Sequence, residues 1–169
     1  YGDPADNFGT LLAKDFGMTA VFVRYNTGRH VSENGRTLAA LLDRLVAHYP
    51  VPVTELVLVG HSMGGLVLRS ACHYGRAAAM PWTDRVRRVF CLGTPHQGAA
   101  LEKISHVAAA VLQGFDAPGA WIPGRLLAGR SAGIKDLRYG YTVDEEWRGL
   151  DPDALLDDRR VGAPLMDGP

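Results

Sequence analysis

An unbroken apolar run that leads directly into a glycine-rich turn is the feature that most constrains how this chain can fold. Residues 56–59, Leu-Val-Leu-Val, are followed by Gly60-His61-Ser62-Met63-Gly64-Gly65. A strand with one face in water alternates apolar and polar residues, so an unbroken run predicts a strand covered on both faces, as in a parallel sheet. Residues 66–74 are mostly small or apolar and predict a buried helix. The sequence therefore predicts a strand, a tight turn and a helix in direct succession.

The segments on either side of this unit continue the alternation of strand and helix. Residues 19–26 are β-branched and aromatic and end in turn-forming residues, which predicts a strand. A helix is predicted from Ser32, its expected N-cap, up to Pro50. Its apolar face is formed by Leu38, Leu41, Leu42, Leu45, Val46 and Tyr49. Residues 86–92 predict a third strand and residues 99–112 another helix, so the order is that of an α/β fold with a parallel sheet and right-handed crossovers.

The C-terminal part of the chain has a different composition. Residues 116–133 are rich in glycine and proline, and residues 136–147 mix aromatic residues with the acidic triplet Asp144-Glu145-Glu146. Two interpretations stay open: a cap or lid over a site, or an irregular connection whose aromatic residues pack on the sheet edge. We therefore expect one partial domain, with a βαβ core over residues 1–115 and an irregular, cap- or lid-like segment over residues 116–169.

The overall composition excludes several classes of protein. The 169 residues carry 18 basic and 18 acidic side chains, so the net charge is +0 and a cationic surface for nucleic acid is not expected. The cysteines and histidines show no zinc-ligand spacing, and no run approaches the roughly 18 apolar residues of a membrane helix. The chain opens at Tyr1 without a methionine or a targeting segment, which favours a cytoplasmic location and a truncated N-terminus. The oligomeric state stays open.

The glycine-rich turn carries the chemistry. Gly60-His61-Ser62-Met63-Gly64 matches the pattern G-x-S-x-G, and it lies between a strand and a helix, as a nucleophile elbow requires. Such a turn holds Ser62 in a strained conformation that exposes its hydroxyl. We expect glycine at positions 60 and 64 because a β-carbon at either would collide where strand and helix pack. The Met63 amide, at the helix start, is placed to stabilise an oxyanion. The alternative is a serine N-cap on an ordinary glycine-rich turn.

Together with Leu92-Gly93-Thr94-Pro95-His96-Gln97-Gly98, this turn resembles the α/β-hydrolase superfamily, and within it serine esterases and lipases similar to the GPI inositol-deacylase group. Residues 24–28, Arg-Tyr-Asn-Thr-Gly, resemble bacterial members of that group. The resemblance implies a three-layer α/β/α sandwich, hydrolysis of a small-molecule or lipid ester through an acyl-serine, and no cofactor or metal. It makes His96 a structural or site-wall residue. His61, whose ring the elbow directs away from the serine, is a packing or site-wall residue.

The histidine and the acid that a nucleophilic serine needs are not found at the expected positions. In this superfamily the order along the chain is serine, then acid, then histidine. His30 and His48 precede the serine, and His73 lies on the helix that follows it; His106 lies in the predicted helix over residues 99–112, with no acid placed to orient it. His96 stays open as an alternative base, although the acid before it, Asp84, is expected at the opposite edge of the sheet. We therefore expect a domain truncated at both ends, with the catalytic acid and histidine outside this chain and no activity in this segment alone.

Two alternatives to ester hydrolysis stay open. A catalytically silent α/β-hydrolase-like domain would serve binding or assembly, although an intact elbow has no evident use in a scaffold. An acyltransferase would use the same serine and pass the acyl group to an alcohol or an amine instead of water. The sequence indicates neither the acyl chain nor the head group of the ester.

Overall fold

The structure is a computed structural model that describes residues 7–98 and 131–150. In chain order its elements are α1 Phe8–Phe16, α2 Val31–His48, β1 Leu56–His61, α3 Met63–Ala77, a 3₁₀ helix Pro81–Arg85, β2 Val86–Leu92, α4 Ala132–Tyr139 and α5 Asp144–Trp147. The helix predicted over residues 99–112 and the irregular stretch predicted over residues 116–130 lie outside the described residues.

Strands β1 and β2 form a parallel pair with α3 between them in the chain. The register runs from Leu56 opposite Val86 to His61 opposite Leu92, with one irregularity after Leu56. Parallel neighbours need a long crossover connection, and α3 supplies it. The predicted βαβ unit is therefore confirmed, including the third predicted strand, which coincides with β2. The complete three-layer sandwich stays a prediction.

Helices α2 and α3 pack against each other and supply most of the buried core. The approach is closest where Gly35 of α2 meets Ser70 of α3, because a β-carbon on Gly35 would overlap the serine side chain. Leu38 and Leu42 are buried as predicted, whereas Leu41 is exposed. The buried apolar cluster consists of Val31, Leu38, Ala39, Leu42, Leu58, Met63, Leu66, Val67, Leu68, Ala71, Cys72, Trp82 and Leu137.

Among the described residues, only one face of β1 is covered, so the prediction of a strand covered on both faces stays a prediction. Leu58 lies in the core cluster with Leu66 of α3, whereas the next residue, Val59, is 44% exposed. Consecutive side chains of a strand point to opposite faces, and α3 packs on the Leu58 face. Val89 and Phe90 of β2 are exposed as well.

The predicted strand at residues 19–26 is absent. These residues form neither helix nor strand, and Val21, Phe22 and Val23 are exposed. β-Branched and aromatic residues favour a strand where a neighbouring strand packs against them. Among the described residues, β1 and β2 pair only with each other, so this segment joins neither strand.

Helix α2 begins two residues earlier than predicted and ends where proline requires. Its N-cap is His30, and Ser32 is buried inside the first turn, so the prediction of Ser32 as N-cap is wrong. The helix ends at His48, and Tyr49 is extended, with ψ 140°. Proline disfavours helical dihedrals in the residue before it, so Pro50 explains this end.

Residues 131–150 are largely helical, where the sequence predicted irregular structure. The Ser131 hydroxyl accepts a hydrogen bond from the Ile134 amide at the start of α4, and Gly140 ends that helix with a φ of 76°. A β-carbon on Gly133 would overlap the Thr27 carbonyl, so α4 lies directly against the loop before α2. A cap or lid role stays a prediction. No helix in the described part of the chain has the length and hydropathy needed to span a bilayer.

Candidate active site

Ser62 occupies the turn between β1 and α3 and has an unusual backbone conformation. Its φ is 52° and its ψ is −123°, whereas residues with a β-carbon rarely adopt a positive φ. Such a conformation costs about 1–3 kcal/mol and persists where the surroundings enforce it. Here the Ser62 amide donates to the Leu92 carbonyl over 2.8 Å, which joins the turn to the end of β2. The serine side chain makes no hydrogen bond with a described residue.

The three glycines around Ser62 differ in the space that a β-carbon would find at each. A β-carbon on Gly60 would lie 2.7 Å from both the Gly64 carbonyl carbon and the Gly65 nitrogen, so only glycine fits where β1 meets α3. A β-carbon on Gly65 would overlap the Thr94 side chain. At Gly64, by contrast, it would meet only the Tyr25 hydroxyl among the described residues, at an ordinary 3.7 Å. The expected collision is therefore confirmed at Gly60 and wrong at Gly64.

Met63 is the first residue of α3, and its side chain is buried in the core. The first amides of a helix have no partner inside the helix and carry the positive end of its dipole. An oxygen that gains negative charge beside Ser62 would find such a donor there. The assignment of the Met63 amide to an oxyanion hole stays a prediction.

His96 follows β2 on a loop that packs beside the elbow through Thr94. Arg69 donates from Nη1 to Nδ1 of His96 over 3.0 Å. A guanidinium cannot accept a hydrogen bond, so Nδ1 accepts and the proton of the neutral ring lies on Nε2. Loss of solvent on one side, and then the charge of Arg69, lower the pKa of His96 from its usual 6.5. A serine base needs the opposite arrangement, with Nδ1–H held by an acid and a free Nε2 lone pair, so this geometry opposes the base role.

None of the other histidines makes a hydrogen bond to Ser62 among the described residues. His61, at the end of β1, and His73, on α3, are both exposed. The His73 ring meets Tyr74 edge-on, with centroids 5.2 Å apart. His48 Nδ1 donates to the Arg44 carbonyl of its own helix over 2.9 Å, and its ring has no other hydrogen bond in the described part of the chain. Their exposed positions leave the catalytic histidine unidentified among the described residues.

A histidine–aspartate pair that the sequence did not indicate joins α2 to α4. His30 Nδ1 lies 3.1 and 3.2 Å from the two carboxylate oxygens of Asp136, and the His30 ring stacks on Trp147 with centroids 3.6 Å apart. The Val31 amide donates to Asp136 Oδ2 over 2.6 Å. His30 was excluded as a base only because it precedes the serine, and Asp136 stands 106 residues away in the chain, so no local pattern links them.

Burial decides the ionisation of this pair. Asp136 is 1% exposed, and burial raises the pKa of its carboxyl to about 6, although the Val31 amide and His30 act in the opposite direction. No hydrogen bond among the described residues connects His30 or Asp136 to Ser62. The pair therefore belongs to the packing of α4 on α2, and it adds no contact to the elbow.

The two cysteines are not placed as nucleophiles. Cys72 lies in the core and Cys91 is half-buried in β2; both are free thiols. Burial raises the pKa of each thiol, so the reactive thiolate is disfavoured at neutral pH. Within the described residues, no three histidine, cysteine, aspartate or glutamate side chains are grouped as metal ligands.

A parallel βαβ unit with a strained serine between strand and helix defines a class, the α/β-hydrolase type of domain. Residues 11–115 match the model of the PGAP1-like alpha/beta domain. Because the match covers more than half of the 169 residues, the chain belongs to the PGAP1-like alpha/beta domain family. It includes the elbow and the loop of His96 and ends before α4. No curated protein and no solved structure matches the chain significantly.

Proposed function

We propose that this domain is a serine hydrolase that acts on ester bonds, with Ser62 as its nucleophile. The observation that carries the proposal is the positive φ of Ser62, 52°, in a turn that Gly60 and Gly65 allow to pack tightly. A serine that merely capped α3 would need no such strain, and Ser62 makes no capping hydrogen bond. Membership in the PGAP1-like family supports the same conclusion.

The reaction follows from the groups at the turn. The Ser62 oxygen attacks the ester carbonyl carbon while a base removes its proton, and the Met63 amide stabilises the oxyanion. The carbon–oxygen bond to the alcohol then breaks, and the protonated base returns the proton to the leaving alcohol. Water attacks the acyl-serine in the same manner and releases the carboxylic acid. Each step uses protein groups and water, so the proposal assigns no cofactor.

The histidine base and its acid are assigned to positions beyond the described residues. His96 accepts from Arg69 at Nδ1 and therefore carries its proton on Nε2, so it fits a wall of the site better than the base, and His61 is exposed beside the serine. The substrate class is a small-molecule or lipid ester, in keeping with the resemblance to the GPI inositol-deacylase group. Acyl transfer to an alcohol would use the same acyl-serine.

The test is covalent labelling of Ser62. A fluorophosphonate probe reacts with an activated serine, so the full-length protein should be labelled and Ser62→Ala should not. Ester turnover should fall by about 10⁴-fold or more in that variant. Ser70→Ala is the matched control: the Ser70 hydroxyl is buried between α2 and α3 without a hydrogen-bond partner among the described residues, so its loss should leave labelling unchanged.

Two outcomes would contradict the proposal. Labelling that survives in Ser62→Ala would assign the reactive serine elsewhere. No labelling of a folded wild-type protein would favour the silent binding domain. If an added alcohol captures most of the acyl group, Ser62 is the nucleophile of an acyltransferase, and only the hydrolytic part of the proposal fails.

A further inference from the structure

At one glycine of the elbow, a β-carbon would make no close contact with a described residue. A β-carbon on Gly64 would meet only the Tyr25 hydroxyl among the described residues, at 3.7 Å, which is an ordinary van der Waals distance. Gly60 and Gly65, by contrast, face atoms that a β-carbon could not clear. Alanine also suits a helix better than glycine by about 0.5–1 kcal/mol. Sterics and helix propensity would therefore both accept alanine at Gly64.

We infer that the space between Gly64 and the Tyr25 hydroxyl receives the carbonyl oxygen of the substrate, and that Tyr25 is a second donor to the oxyanion beside the Met63 amide. The inference rests on the proposed function, since the oxyanion forms only if Ser62 attacks an ester. Gly64 then keeps this space open, because a methyl group would fill the gap in front of the hydroxyl.

Tyr25 is held firmly enough to act as a donor. Its ring is half-buried and packs against the core cluster. The next residue, Asn26, fixes the loop in three ways: its carbonyl accepts from Asn34 Nδ2 over 2.9 Å and from the Arg29 amide over 3.2 Å, and its side-chain oxygen accepts from the Gly28 amide over 2.9 Å. A donor that is fixed before the substrate binds does not have to be ordered during the reaction.

The Tyr25 hydroxyl differs from the ring, which packs against the core cluster. The Tyr25 hydroxyl makes no hydrogen bond with a described residue. Burial raises the pKa of Tyr25 above its usual 10.0, so the phenol keeps its proton at any pH at which an ester hydrolase works. A protonated phenol without a partner among the described residues is free to donate to an oxyanion that forms beside it.

The decisive experiment measures kcat and KM of the full-length protein with a p-nitrophenyl ester. Tyr25→Phe should lower kcat about 100-fold and leave KM within about 2-fold, because an oxyanion donor acts in the transition state. Its melting temperature should not change, since no described partner loses a hydrogen bond. Tyr74→Phe is the matched control: it removes a hydroxyl that accepts from the Asp144 amide, distant from the reaction, and should leave kcat unchanged.

Gly64→Ala is the second variant, and we expect it to fold because its methyl group makes no close contact with a described residue. It should lower kcat by a factor similar to that of Tyr25→Phe. The double variant should be little worse than either single variant, because both remove the same interaction. An unchanged kcat in Tyr25→Phe, or a rise in KM alone, would overturn the assignment of Tyr25. These results differ from a failure of the proposed function, in which the wild-type protein shows no labelling at Ser62.

Discussion

The elbow and the contact between α2 and the α4–α5 segment are built in opposite ways. At the elbow, Gly60 and Gly65 let the backbone of β1, α3 and the loop after β2 approach to distances that no other residue permits. In the second region, which we call the α2 clamp, charged and aromatic side chains form the contact. It consists of His30, Ser32, Arg36, Asp136, Asp144 and Trp147. One region depends on the absence of side chains, and the other on their polar chemistry.

The hydrogen bonds of the α2 clamp span most of the described chain. Arg36 forms a bidentate salt bridge with Asp144, with nitrogen–oxygen distances of 2.8 and 3.1 Å. Trp147 donates from Nε1 to the Ser32 hydroxyl over 3.1 Å. Each bond connects residues more than 100 positions apart. Since the clamp contains ionisable groups and the elbow contains none in its packing, pH should alter the clamp and spare the elbow.

The largest effect is expected from Gly60→Ala. Its β-carbon would lie 2.7–2.8 Å from three backbone atoms of Gly64 and Gly65, and backbone atoms at a strand–helix junction cannot rotate away as side chains do. We expect a loss of about 4 kcal/mol in the free energy of unfolding, in the range of severe core defects. Urea denaturation measures it.

Gly64→Ala is the matched control for that experiment. It adds the same methyl group four residues later, where 3.7 Å separates it from the nearest described atom. The free energy of unfolding should stay the same or rise slightly. Equal destabilisation by the two variants would show that the elbow is not held by close backbone packing at Gly60.

The next effect concerns pH and the Asp136 carboxyl. The folded-state pKa of Asp136 is about 6, whereas the unfolded value is 3.8. Below the unfolded value both states hold the proton; between the two values only the folded state holds it, so stability falls as pH rises from about 4 to about 6. The loss is about 3 kcal/mol at most, and Asp136→Asn, which cannot ionise, should not show it.

The comparison of wild type with Asp136→Asn should be made by denaturation at several pH values. The titratable groups that act on Asp136 are His30, whose hydrogen bond lowers its pKa, and Glu146, whose charge raises it. His30→Gln should therefore move the decline of stability to higher pH. A difference between wild type and Asp136→Asn that is constant from pH 4 to pH 7 would contradict the proposed ionisation.

The fold around the elbow was predictable because its determinants are local. The apolar run at β1, the glycines after it and the period of α2 all lie in contiguous sequence, and β1, α2, α3 and β2 were predicted within a few residues. The prediction of a strand at residues 19–26 is wrong because a strand needs a partner strand, which local sequence does not specify. The prediction of a collision at Gly64 is wrong because the pattern G-x-S-x-G gives the same reason for both of its glycines, whereas their surroundings differ.

The α2 clamp was not predictable, because nothing in the local sequence records it. His30 and Asp136 are ordinary residues of a loop and a helix, and their contact arises only when α4 lies against α2. Ser32 differs from its predicted role for the same reason: serine suits an N-cap, but here its hydroxyl accepts from Trp147 Nε1 inside the first turn. Contacts between distant residues override a capping preference of about 1 kcal/mol.

The smallest effect separates the two arginines that bind Asp144. Arg36 binds both carboxylate oxygens and lies over the Tyr74 ring, whereas Arg148 binds one oxygen at 2.8 Å and is 67% exposed. An exposed ion pair contributes about 0.5 kcal/mol or less, so Arg148→Gln should be nearly neutral and Arg36→Gln should cost about 1 kcal/mol. Burial is the largest single influence and raises the pKa of Asp144, but the hydrogen bonds from Arg36 and Ser32 and the charges of Arg36 and Arg148 together outweigh it, so the pKa is lowered. An equal loss in the free energy of unfolding for the two variants, measured by urea denaturation, would show that the bidentate geometry adds nothing to the stability of the clamp. Asp144 would then need only a nearby positive charge.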